Sequence, residues 1–145
     1  MGAAVLAAAL IVSPAPSHPA VEQAADIPAS QEAFASCVSH RESRGSYSAR
    51  GDESSARGKW QFLDRQWRRG LAYMVADRLR DFGLPAQQAR AIRIELQRKP
   101  IDKWAPAYQD AAFLAALNAH GPWSGWRHWH LAGSRCNTLV PAGAR

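Results

Sequence analysis

The chain has 145 residues, 47% of them hydrophobic, and carries 18 Lys plus Arg against 12 Asp plus Glu for a formal charge of +6. That length suits one domain around a single core, and no internal repeat points to a solenoid. The positive excess suits an anionic partner, either a cell envelope or a nucleic acid, if it is more than a solvated surface.

Ala3 to Val12 is an apolar run of signal-peptide length, too short to span a bilayer, and Ala15-Pro16-Ser17 offers a small-x-small cleavage site before His18. No Lys or Arg precedes the run, so an uncleaved anchor, or a true start upstream of Met1, is the competing reading. Residues 1–17 are expected to be a signal peptide, and their removal would leave the charge at +6. Residues 18–27, rich in Pro and Ala without periodicity, read as a linker. The domain proper is expected over 28–145.

From Pro28 or Ser30 to Arg41 the spacing predicts a helix. Phe34, Cys37 and Val38 share one face, and Glu42 lies a turn beyond Val38 on nearly the same azimuth. A carboxylate that leaves a helix where the apolar stripe meets solvent suits a general acid. Its plainer reading is a last-turn Glu facing water, at a small cost against the helix dipole. Ser43 to Lys59 reads as a loop, with a short hairpin turning at Gly51-Asp52. Asp64 is expected to cap a second helix, whose stripe of Trp67, Leu71, Met74, Val75, Leu79 and Phe82 is stopped by Gly83. Pro85 opens a third, with Ala89, Ile92 and Leu96 inward before Pro100 breaks it. Pro106 starts a fourth, apolar through Ala111, Leu114, Ala115 and Leu117 and ending at Gly121. Pro122 to Arg145 is aromatic and irregular. The sum is a small, mainly helical domain.

Cys37 and Cys136 sit near opposite ends of that domain. In a secreted chain an even count suggests a bridge, here closing a loop of about 100 residues; two buried free thiols are the alternative. A metal site using His40, His128 and His130 lacks any compact C-x-x-C or H-x-x-x-H spacing. Among the tryptophans, Trp67 and Trp104 read as core, while Trp60 can line a cleft where a sugar packs on the indole. Trp123, Trp126 and Trp129 form either a far cleft wall or a hydrophobic cluster closing the domain. The arginines of the second and third helices, Arg65 to Lys99, have a solvated face as their default reading. A nucleic-acid-binding helical module would use them on phosphates, but the signal-like segment and the expected disulfide argue against it.

Glu42-Ser43, Gly45, Tyr47, Ala49, Gly58, Trp60-Gln61-Phe62 and Trp67 together resemble the transglycosylase-like domain of actinobacterial resuscitation-promoting factors. More loosely, they are similar to the E-S-x…G-x-x-Q signature of lysozyme-like lytic transglycosylases. Ala116-Leu117-Asn118-Ala119-His120-Gly121-Pro122 resembles the A-Y-N-A-G motif of the latter, in the right order. The resemblance spans roughly Phe34 to Cys136. Arg44 stands where the resuscitation-factor pattern has Gly, the loop is longer by a residue, and Leu117 replaces a Tyr.

The resemblance implies a small lysozyme-like α+β domain with a loop or hairpin after the catalytic helix, secreted or associated with the cell envelope. It implies an enzyme that cleaves the β-1,4 bond between N-acetylmuramic acid and N-acetylglucosamine in peptidoglycan. Glu42 would be the acid, with Ser43, Tyr47, Trp60, Gln61 and Asn118 on the substrate. Asp52 is the nearest candidate for a second carboxylate, although its place beside Gly51 is explained equally by turn chemistry. The expected partners are glycan strands and the anionic envelope rather than nucleic acid, with no metal or organic cofactor, and the protein is expected to be a monomer. A basic wall-binding or nucleic-acid-binding module without catalysis is the alternative.

Overall fold

A computed structural model describes residues 18–120 and 125–145. The expected signal peptide at 1–17, Trp123, and the proposed helix end at Gly121 lie outside the described residues. The described chain forms five α-helices, a two-stranded hairpin and several 3-10 turns around one core. It is mainly helical with a small β element, as the periodicity predicts.

The first helix, α1 (Pro19–Ala25), overturns the linker reading of 18–27. Pro19 presets the first turn, and His18 Nδ1 accepts the Ala20 N–H at 3.2 Å. Ala20, Val21 and Ala24 are buried, and α1 packs chiefly on the last helix, α5 (Pro106–Leu117). Two turns of small residues can approach a neighbouring helix closely yet are too short to display a period.

Helix α2 (Ala29–Ser43) buries Phe34, Ala35 and Val38, and it runs through Glu42 rather than stopping at Arg41. It ends at Arg44, held in the left-handed conformation at φ +54°. The Gly45 N–H then bonds back to the Ser39 carbonyl at 3.1 Å, a helix stop that usually falls to glycine.

The hairpin pairs β1 (Ala56–Arg57) with β2 (Phe62–Leu63), antiparallel, turning through Gly58 to Gln61. The turn expected at Gly51-Asp52 is a second one: the antiparallel Arg50–Arg57 bridge, with the Gly51 N–H on the Ala56 carbonyl and the Gly58 N–H on the Ala49 carbonyl, closes the loop over 51–56. Helix α3 (Asp64–Asp81) buries Leu71, Val75 and Leu79 and stops at Gly83, φ +92°, as expected. Two details differ. Asp64 does not cap α3: its Oδ1 accepts the Ile101 N–H at 2.8 Å, so it tethers a distant turn instead. Phe82 is exposed, with the Arg78 guanidinium over its ring.

Helix α4 (Ala86–Arg98) lays Ala89, Ile92 and Leu96 against α3. Trp104 is core as expected, and its Nε1 satisfies the Leu96 and Lys99 carbonyls at the end of α4. Helix α5 is buried nearly all round, ends at Leu117 and forms the centre of the domain. Gly125 runs so close to α5 that a Cβ there would lie 1.6 Å from the Ala116 carbonyl oxygen.

The expected bridge is present. Cys37 and Cys136 are joined across 99 residues, pinning the 3-10 turn Arg135–Leu139 onto α2. Two stability predictions follow from the α2 end and this staple. Arg44→Gly removes the steric cost of a left-handed L-residue and should raise the unfolding free energy by about 1 kcal/mol. Reduction of the bridge, or Cys136→Ser, should lower it by about 2 to 5 kcal/mol. Urea unfolding followed by circular dichroism measures both.

Candidate active site

Glu42 lies in the last turn of α2 with its side chain 26% exposed. It is not a lone carboxylate. Arg41 Nε and Nη2 both donate to Oε1, at 2.9 and 2.5 Å. Among the described residues, every recorded polar contact of Glu42 runs through that one oxygen. Arg41 also donates to the Trp129 carbonyl at 2.6 Å and to Ser134 Oγ at 3.0 Å, so the C-terminal segment holds the fork that holds Glu42.

On the other side of Glu42, Ser43 Oγ donates to the Lys59 carbonyl at 2.7 Å, and also to Ser39 at 3.2 Å. This bond joins the E-S and G-x-x-Q halves of the first motif. Ser43 is thus engaged with backbone. Trp60 is 1% exposed and stacked on Phe113 at 3.8 Å, so it belongs to the core and does not line a cleft. The indole reads alike in either role from sequence, because its N–H finds a partner inside, Asp110 Oδ1 at 3.0 Å. Gln61 takes a left-handed φ of +52° and folds its Nε2 back onto the Gly58 carbonyl, closing the hairpin turn.

Tyr47 donates its hydroxyl to Asp110 Oδ2 at 2.6 Å. Burial, with that bond to a carboxylate, pushes the phenol well above its ordinary range. Asn118 caps α5, donating to the Leu114 carbonyl and accepting from Gln31. Gln31 lies eleven residues before Glu42, roughly 16 Å along the helix at about 1.5 Å per residue. The fold therefore sets Asn118 beside the start of α2 and Glu42 at its end. Asp52 and Glu53 are exposed on the 51–55 loop.

Of the proposed far wall, Trp129 is core, packed against Phe34, Phe62 and Phe113, with its Nε1 on the Trp60 carbonyl at 2.9 Å. Trp126 is half-buried, edge-on to His130. Trp67, expected in the core, packs against it half-buried and also lines a largely apolar cavity of about 310 Å³ with Phe62, Leu71, Met74, His120 and His128. Loss of hydration beside Trp67 lowers the His128 pKa. Glu42 does not line this cavity; His128, which does, precedes Trp129, whose carbonyl meets Arg41. Among the described residues no three His, Cys, Asp or Glu side chains gather as a metal site requires.

The residues that hold the site together and that the motifs do not mark are Arg41, Lys59, Gln109 and Asp110. Asp110 had a visible signal, since it is the only charged residue in the apolar helix PAYQDAAFLAAL. Comparison of the chain with protein-family models, with curated proteins and with solved structures finds no match in any of the three.

The buried phenols make a pH prediction. Burial, reinforced by the Glu95 charge, pushes Tyr108 up to about 12, and Tyr47 is raised further. Above pH 10 the unfolded chain loses these protons while the fold retains them, so their contribution is intact below pH 10 and lost as pH rises beyond it. Stability should fall progressively on the alkaline side. Ultraviolet titration should show both phenols ionising late, and Tyr47→Phe should blunt the alkaline loss.

Proposed function

We propose that this protein is a lysozyme-like, peptidoglycan-cleaving enzyme with Glu42 as its general acid. The observation that supports this best is the bond between Ser43 and the Lys59 carbonyl. It brings the two separated halves of the first motif into one unit beside a partly exposed carboxylate at a helix end. In this reading Glu42 delivers a proton to the glycosidic oxygen between N-acetylmuramic acid and N-acetylglucosamine as the sugar gains oxocarbenium character, and then serves as base.

The resembled families manage with one essential Glu, and in this reading the substrate completes the reaction itself. The muramic acid 6-hydroxyl attacks the anomeric carbon and yields its proton to Glu42. The 1,6-anhydro product is lighter by one water than the hydrolytic one. The disulfide suits an oxidising, extracytoplasmic compartment, and the basic surface would concentrate a monomeric enzyme on an anionic envelope. Among the described residues no helix is long and apolar enough to cross a membrane.

The Arg41–Glu42 pair favours a second reading, a wall-binding domain in which this carboxylate is structural. Glu42→Gln separates the two. Gln keeps an acceptor for Arg41 but has no acidic proton, so the enzymatic reading expects a folded variant whose lysis of purified peptidoglycan falls by ~100- to 10,000-fold. Lysis at the parent rate would end the assignment of Glu42 as the acid, whereas a parent protein that binds peptidoglycan without lysing it would leave only the binding reading. Mass spectrometry of the released muropeptides tests the product, and hydrated reducing ends alone, with an inactive Asp52→Asn, would mean a two-carboxylate hydrolase.

A further inference from the structure

Asp110 lies outside both motifs, yet its carboxylate gathers three donors. Oδ2 accepts Tyr47 OH at 2.6 Å, and Oδ1 accepts Lys59 Nζ at 3.2 Å and Trp60 Nε1 at 3.0 Å. Lys59 Nζ also reaches Tyr47 OH at 2.9 Å and lies over the Tyr47 and Trp60 rings. The preceding residue, Gln109, grips the same loop by its backbone: Oε1 takes the Lys59 N–H at 2.9 Å, and Nε2 donates to the Tyr47 carbonyl at 3.0 Å. Two consecutive residues of α5 thus hold both ends of the loop that follows Glu42.

What Asp110 holds matters because of the next link. Lys59 and Trp60 present successive carbonyls toward α2 and the C-terminal segment. The Lys59 carbonyl takes Ser43 Oγ, the residue after Glu42. The Trp60 carbonyl takes Trp129 Nε1, and the Trp129 carbonyl takes Arg41, the residue before Glu42. Both chain neighbours of Glu42 are therefore anchored, by separate routes, to the dipeptide that Asp110 fixes.

We infer that Asp110 is a positioning residue for Glu42, acting through Lys59-Trp60 on both Ser43 and Arg41. The inference rests on the reading of Glu42 as the acid and adds to it a residue that touches no substrate. A displaced acid slows proton delivery without weakening the hold on the glycan, so the signature is a loss in kcat with KM preserved. Misplacement by about 1 Å can cost as much as 100-fold.

The test is steady-state lysis of purified peptidoglycan by the full chain, with Asp110→Asn, Ser43→Ala and their double variant beside Glu42→Gln. Asparagine matches the shape but presents an amide to donors on one side. Asp110→Asn should lower kcat by about 10- to 100-fold, leave KM within about twofold, and make the further loss on adding Ser43→Ala smaller than Ser43→Ala causes alone, because the two act on one route. Parent kcat in a folded Asp110→Asn, with Glu42→Gln inactive, would overturn this inference alone. Parent kcat in both would overturn it together with the assignment of Glu42 as the acid. If Asp110→Asn does not fold, Ser43→Ala cuts one route while leaving the cluster whole: lowered kcat at constant KM supports the inference, and unchanged kcat overturns it.

Discussion

A helix buried on nearly every side cannot leave a polar side chain unsatisfied, and α5 carries two in succession, Gln109 and Asp110. An unmet buried donor or acceptor costs about 1–3 kcal/mol, and an unpaired charge more. The chain meets this demand by bringing residues 47 to 60 against α5, where their backbone and side-chain groups complete the set. Gly58 is part of the same solution: a Cβ there would lie 2.3 Å from Gln109 Oε1, blocking the approach that lets the neighbouring Lys59 N–H bond to it. The loop beside Glu42 is thus shaped less by its own turn residues than by a need originating in the core.

That origin explains what was legible in the sequence. Helices α3 and α4 are long and one-sided, so the spacing of Leu71, Val75 and Leu79, and of Ala89, Ile92 and Leu96, locates them and their inner faces. The proline and glycine stops are equally plain. Helix α1 is hidden because seven residues of Pro, Ala and Val carry no distinguishable period. Asp64 has the residue type and place of a cap, but its preferred partner, the Ile101 N–H, is 37 residues away. Only tertiary structure can reveal such a choice.

The site was legible in its position and less so in its detail. Glu42 at the end of its helix, and the bridge behind it, follow from spacing and cysteine count. Trp60, Gln61 and Asn118 have side chains that serve a ligand or the protein with the same atoms. Here a buried carboxylate, a turn carbonyl and a helix end claim them. The Arg41 contact was obscured differently: adjacent residues on a helix ordinarily diverge, and these two meet because Trp129 and Ser134 draw the guanidinium into place.

The disulfide adds a condition in time. Its second cysteine, close in sequence to Trp129 and Ser134, is synthesised 99 residues after the first, which lies on α2. A nascent or truncated polypeptide possesses Glu42 but none of the C-terminal groups that orient Arg41 beside it. The arrangement around this carboxylate therefore forms only once residues 129–136 have closed onto α2, and the bridge then ties that segment in place.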